Sequence, residues 1–399
     1  MKRLSCGRGI ARSALTKCAF VLVSIAAATI GSQPAVAAPL FTEYTVPTPV
    51  ASPCNTVAGP DHAVWFAELS GNKIGRLDPA TGAISEFPIP STLNVVPAPS
   101  IVATLTSALG PVQPLLSLLI PNGFVGALQS IPFPVTTVCG IDVGADGAIW
   151  FNEPLNDRIA RIDITTHQIT EYSIPTPDSL PMDLAAGPDN AIWFVETAAN
   201  KIGRFDLATQ QFSEYPVPTP LALPIGMFAG PDGGMWFPEF TGNKIGRLDM
   251  NTHVITEYPV PTPLATPFVL RAAANGALWF TEMTGNKIGR LDLTTHAITE
   301  SLIPTLLSAP ISVTYAPDGF LYFDESIGNK IGRMDPVSHA ISEYPIPTPA
   351  SYTDEIRIGP DGNVWFPEWV GNKIGTLNLN AVDSLPGNSG GLLNLLSPF

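Results

Sequence analysis

Trp279-Phe280-Thr281-Glu282-Met283-Thr284-Gly285-Asn286-Lys287-Ile288-Gly289-Arg290-Leu291-Asp292 decides the fold, because near-copies of it recur along the chain. Each copy is anchored by an aromatic pair: Trp65-Phe66, Trp150-Phe151, Trp193-Phe194, Trp236-Phe237, Trp279-Phe280, Tyr322-Phe323 and Trp365-Phe366. From Trp150 onward every pair follows the last by 43 residues; only Trp65 to Trp150, a step of 85, departs. A fixed period of this size marks a repeat architecture, in which each unit buries its apolar faces against its neighbours. What every copy shares reads as scaffold. A functional site is to be sought where the copies disagree.

Within one unit, Gly230-Pro231-Asp232-Gly233 has the residue types of a tight turn. Met235-Trp236-Phe237 reads as a strand, Thr241-Gly242-Asn243 as a second turn, and Lys244 to Leu248 alternates polar and apolar like a half-buried strand. A third turn spans Asp249 to His253, and Val254-Ile255-Thr256-Glu257-Tyr258 is another strand. Pro259 to Pro267 crosses to the next unit, which opens at Phe268 to Ala272. Four short strands per 43 residues is the size of a propeller blade. The Gly-His and Trp-Asp signatures of a WD-type blade are absent.

The two ends of the repeat complement each other. The last unit stops at Leu377 without its outer strand, and a matching strand, Phe41-Thr42-Glu43-Tyr44-Thr45-Val46, stands at the other end. Pairing them closes the ring and removes an exposed sheet edge. The expected fold is all-β: a seven-bladed propeller over 38–379, with four-stranded blades and the N-terminal strand completing the last one. Residues 91–133 lack the aromatic pair and Gly-Asn-Lys-Ile-Gly, are apolar and proline-punctuated, and fall in a crossing. They are read as an inserted loop on the crossing-side face, the kind of insertion that serves as a lid or binding loop. Residues 380–399, with Gly387-Asn388-Ser389-Gly390-Gly391, are read as a flexible tail.

Composition sets the compartment and excludes some partners. Lys2, Arg3, Arg8, Arg12 and Lys17 precede an apolar run from Ala19 to Ile30, and Ala35-Val36-Ala37 is a small-residue cleavage site. Residues 1–37 therefore read as a secretory signal peptide, cleaved after Ala37. Its removal takes the net charge from −14 to about −19. So acidic a chain is not built for nucleic acid, which needs a basic face. No later segment reads as a transmembrane span. An exported monomer is expected. Cys54 and Cys139 remain after cleavage, in a compartment where disulfides persist. They occupy one position of consecutive blades, close around a narrow channel, so a disulfide between them is expected.

The units Trp-Phe-x-Glu, Gly-Asn-Lys-Ile-Gly-Arg and Ile-x-Glu-Tyr-x-x-Pro-x-Pro resemble the repeats of the streptogramin lyases, the virginiamycin B lyase family. The resemblance covers nearly all of residues 40–379 except the insertion. It implies a seven-bladed propeller and opening of a depsipeptide ring by carbon–oxygen elimination, with bound Mg²⁺ and histidine acid/base chemistry in a cavity at the top of the channel. It places those histidines at the start of the innermost strand, about 11 residues before the blade's Trp. This chain has Cys54, Cys139, Met182, Ile225, Phe268, Ile311 and Asp354 there.

Four histidines, His167, His253, His296 and His339, recur in the turn before the outer strand, and His62 lies in a Gly-Pro-Asp-type turn. Both turn sets belong to the face opposite the crossings, and neighbouring blades hold these residues too far apart to share one ion. They read as turn residues copied with the repeat. Glu68, Glu153, Glu196, Glu239, Glu282, Glu325 and Glu368, present in all blades, read as scaffold that pairs with backbone or with Arg76, Arg161, Arg204, Arg247, Arg290 and Arg333.

Asp354 and Glu355 break the pattern where other blades are apolar, and Asp183 stands one position later in its own blade. These three are the candidate catalytic and metal-binding residues. Carboxylates at a channel mouth can hold Mg²⁺ or Ca²⁺ through oxygen, or act as general bases when partly desolvated. The leading functional expectation is a module that binds a small molecule or an extracellular protein on the crossing-side face. The alternative is an enzyme using these carboxylates, either a streptogramin-type lyase or a metal-dependent lactone hydrolase.

Overall fold

The computed structural model describes residues 38–91, 107, 138–273 and 275–385. The expected leader, the insertion apart from Ser91 and Ser107, and the tail from residue 386 lie outside the described residues.

Seven four-stranded antiparallel sheets follow one another as the blades of a propeller. The fourth is typical: Phe228–Ala229 innermost, then Gly234–Glu239, Lys244–Asp249 and Ile255–Pro259. In the last sheet the N-terminal strand Phe41–Thr45 pairs antiparallel with Lys373–Leu377, in register Phe41↔Leu377. The ring is thus closed by the strand expected from the sequence.

Each letter of Gly-Asn-Lys-Ile-Gly-Arg has a distinct mechanical task. The Asn takes a left-handed conformation (φ 56° at Asn243) and clamps the next crossing. Asn243 Nδ2 donates to the carbonyls of Val260 (3.1 Å) and Thr262 (3.0 Å), and its Oδ1 accepts from Ala265 N at 2.7 Å. Asn tolerates this backbone region better than other non-glycine residues. In the second blade Asp157 replaces it at φ 49° and accepts from the backbone of Asp178 and Ser179. The Lys reaches the preceding crossing and the outer strand: Lys244 Nζ bonds Thr219 Oγ1 and Glu257 Oε2, each at 2.6 Å. The Ile is core. The Gly lies against the blade's own Phe, where a Cβ on Gly246 would come within 2.3 Å of the Phe237 ring.

The Arg answers a different partner from the one expected. Arg247 Nε pairs with Asp232 of the Gly-Pro-Asp turn at 2.6 Å and lies over the Trp236 ring, whose indole N–H donates to the same carboxylate at 2.8 Å. Arg76 with Asp61, Arg161 with Asp146 and Arg204 with Asp189 repeat the pairing. The reading of Glu68 and its equivalents as arginine partners is therefore corrected. Glu239 lies opposite Lys244 in strand register and is buried on the crossing side, far along the strand from the turn that Arg247 faces.

Apolar packing lies mainly between blades. One cluster joins Trp65 and Ile74 of the first blade to Ile141, Ile149 and Phe151 of the second. Another joins Trp365 and Ile374 of the last blade to Val64 and Phe66 of the first, across the closure. The six Trp of the aromatic pairs are at most 1% exposed. Burial of such rings dominates the energetics of an all-β ring. A helix at Leu379–Asp383, with Leu379 and Val382 buried, carries the packed body past Asn380, where the flexible tail was expected to begin. Arg333 Nη2 ties it down through Asp383 at 3.0 Å. Among the described residues no helix is long and apolar enough to cross a membrane.

Candidate functional site at the crossing-side mouth of the channel

The inner strands bring pattern-breaking residues together around the channel. Cys54 and Cys139 form a disulfide with Cα atoms 5.5 Å apart, tying the first two blades together as expected. Asp354, at the same rung of the last blade, places its Oδ2 3.0 Å from Cys54 Sγ. A disulfide sulfur carries no proton, so any proton in that contact belongs to the carboxyl. Burial, aided by the charge of Asp183, pushes Asp354 up to about 7.

One rung below, the carboxylates are already occupied. Glu355 Oε1 is paired with Arg271 and, at 2.8 Å, with Arg357, while Oε2 accepts from Asn55 Nδ2 at 2.5 Å. Arg271 is itself buried and lies over the Phe228 ring. Burial and the neighbouring Arg357 work against its charge; Asp183 and Asp142 support it. Asp183 Oδ2 accepts from Met227 N (2.9 Å), just before the inner strand of the next blade, and Asp142 Oδ2 from Ala186 N (3.3 Å), on the inner strand of its next blade. These carboxylates brace blade to blade.

Asp183, Asp354 and Glu355 thus serve three separate purposes. Among the described residues, the one group of at least three Cys, His, Asp or Glu donors whose ligand atoms lie within 4.8 Å of one another is Cys54, Cys139 and Asp354. A Mg²⁺ site built on the three expected carboxylates fits poorly. Glu355 faces two guanidinium groups, and Asp183 spends one oxygen on the backbone. Hard cations want free, charged oxygen donors.

Three residues of this region escaped the sequence reading. Arg271 and Arg357 are charged intruders in otherwise apolar inner strands, and that contrast was the available signal. Asp324 follows an aromatic pair where other blades carry Ala67, Asn152, Val195, Pro238, Thr281 or Pro367, and Asn152 accepts from the backbone leading into its inner strand in the same way. It is fully buried and accepts from Ile311 N (3.0 Å) and Ser312 N (2.6 Å). Burial outweighs those bonds and holds its carboxyl well above the usual range.

The periodic histidines lie elsewhere and have a structural task. His253 stacks on Tyr215 of the preceding blade with ring centroids 4.6 Å apart, and His167 on Phe87 at 4.3 Å. His296 packs on Tyr258 at 4.8 Å; His339 meets Ser301 through Nδ1 at 2.9 Å. His62 sits with Asp61, Arg76, Asp78 and Asp361 in a shallow hollow of the turn side.

A family model, the Virginiamycin B lyase family, matches residues 130–384. The chain belongs to the virginiamycin B lyase family. A streptogramin B lyase structure is 31% identical over 85% of this chain and 97% of that one, with a TM-score of 0.70. A selenomethionine-substituted virginiamycin B lyase from Staphylococcus aureus is 30% identical over 84% of this chain and 98% of its own, with a TM-score of 0.69. A catalytically inactive form of the Staphylococcus aureus enzyme, with quinupristin, is 29% identical, also with a TM-score of 0.69. A virginiamycin B lyase from Bordetella parapertussis is 44% identical over 52 residues, a match that spans 17% of that protein's length. Membership in the virginiamycin B lyase family agrees with the resemblance of the repeat motifs and with the blade count.

Proposed function

We propose that this protein is an exported, ligand-binding member of the virginiamycin B lyase family that does not use the histidine elimination chemistry implied by the family resemblance. One observation carries the reading. At the rung where the resemblance expects histidines, the blades present Cys54, Cys139, Met182, Ile225, Phe268, Ile311 and Asp354, with the two cysteines tied to each other. Loss of a positioned acid or base costs about 10²–10⁴ in rate. The crossing-side face supports a docking role, since Val50, Leu221, Leu306 and Val370 are exposed on the crossings and adjoining turn. The ligand is a small molecule or an extracellular protein segment. The leader pattern and the disulfide support export. N-terminal sequencing of the mature chain should begin at Ala38.

The test uses quinupristin, the compound held by the Staphylococcus aureus structure. Calorimetry should detect binding, while mass spectrometry should find the ring intact with or without Mg²⁺. Ring opening lost in Asp354→Ala overturns this reading in favour of an enzyme. That second reading has its own support: a carboxyl with a pKa of about 7 at the channel mouth suits acid/base work at neutral pH, for a carbon–oxygen lyase or a lactone hydrolase.

A further inference from the structure

We propose that Cys54, Cys139 and Asp354 form a redox-masked site for a borderline-soft divalent cation of the zinc class, closed as the disulfide and opened by a dithiol reductant. The three donors come from three consecutive blades, the last, the first and the second, at one rung of the inner strands. Their ligand atoms already lie within 4.8 Å of one another, and Asp354 Oδ2 is 3.0 Å from Cys54 Sγ. In a tetrahedral site with metal–sulfur bonds of ~2.3 Å, two thiolates sit about 3.7 Å apart. Rotation about the two Cα–Cβ bonds can provide that separation while the Cα atoms stay 5.5 Å apart.

The donor set selects the cation. Two thiolates and one carboxylate suit zinc-class ions, whereas Mg²⁺ and Ca²⁺ prefer oxygen alone. The surrounding charge permits a cation, because Glu355 offsets Arg271 and Arg357, and Asp183 and Asp142 stand nearby. Opening balances as follows. The dithiol gives two electrons and two protons to the S–S bond and becomes a disulfide; the bond breaks and two thiols form. The cation then displaces both thiol protons, and the carboxyl proton where Asp354 carries one, to solvent and bonds two thiolates and the Asp354 carboxylate. The site stands independently of the quinupristin reading, and its readout does not involve that ligand.

The experiment uses the full chain with Cys6→Ser and Cys18→Ser, titrated anaerobically with Co²⁺ before and after reduction by dithiothreitol and desalting. The reduced chain should bind one Co²⁺ with thiolate-to-cobalt absorption in the near ultraviolet, displaced by Zn²⁺. The oxidised chain should show none. Cys54→Ser should lose the band, and Asp354→Asn should keep it with at least tenfold weaker affinity. A reduced chain without the band overturns the proposal. So does Asp354→Asn with unchanged affinity, or loss of native circular dichroism on reduction, since the site needs the folded ring.

Discussion

Lys373 Nζ donates to Glu43 Oε2 at 2.7 Å across 330 residues of sequence. The same carboxylate accepts from Thr348 N at 3.0 Å and Thr348 Oγ1 at 2.9 Å. Lys244 and Glu257 of the fourth blade make the same three contacts with Thr219 of the crossing that leads into it. The closure therefore uses the bonds of an ordinary blade, split between the two ends of the chain. Glu43→Ala should destabilise the fold by about 2 kcal/mol, since it removes charge-assisted bonds that are largely shielded from water. Urea unfolding measures this; an unchanged midpoint would show that the closing strand is held by its apolar contacts alone.

Stability should fall as pH rises from about 5 to 8. Glu68, Glu196, Glu239 and Glu282 are pushed up to about 8, and Glu325 and Glu368 to about 7, first by burial and then by the neighbouring outer-strand glutamate or Glu43. The folded state holds these protons more tightly than the unfolded chain. Their contribution is fully present below the ordinary glutamate value of 4.5 and is lost as pH climbs through the folded values. Asp61 and Asp232 act oppositely. Despite burial, bonds from Trp65 and Arg76, or from Trp236 and Arg247, hold them below 3.8, so their contribution is lost in acid. Calorimetry from about pH 3 to 9 should give a maximum Tm near pH 5, and Glu239→Gln should flatten its alkaline side. A plateau through pH 8 in the parent chain contradicts this account.

His253 tests the stacking reading of the periodic histidines. His253→Ala should cost about 1 kcal/mol through loss of the ring contact with Tyr215. His253→Gly should cost less, because glycine relieves the left-handed backbone at φ 58°. Neither change should alter quinupristin binding. A metal-dependent rise in the Tm of the parent chain, absent in His253→Ala, would reinstate a metal role for this ring.

Glu355 is predicted to be structural. Glu355→Ala leaves buried Arg271 without its carboxylate beside half-buried Arg357 and should destabilise by about 3 kcal/mol. Added Mg²⁺ or Ca²⁺ should leave the Tm of the oxidised parent chain unchanged. Thermal denaturation reads both. Stabilisation by Mg²⁺ that disappears in Glu355→Gln would restore the three-carboxylate cation site.

The architecture was legible because repetition averages out local ambiguity. One aromatic pair says little; seven, six of them at a constant step of 43, give the blade, its strand count and its register, and the orphan strand at Phe41 gives the closure. The disulfide followed from the same reasoning, since equal positions of consecutive blades meet around the channel. Pairing was less legible. Sequence spacing placed Glu68 and Arg76 on adjacent strands, but strand register sends them to opposite ends of the blade, where Lys73 and Asp61 are closer. The site was least legible of all. The chain by itself marked Asp183, Asp354 and Glu355 as departures from the repeat. Only the tertiary structure decided that Glu355 meets two arginines from different blades, that Asp183 bonds the next blade's backbone, and that Asp354 meets the cysteines. Arg357 apart, which stands two residues from Glu355, those partners are separated by about one to seven repeats, and what unites them is curvature around a common axis, a quantity that no local pattern in the sequence encodes.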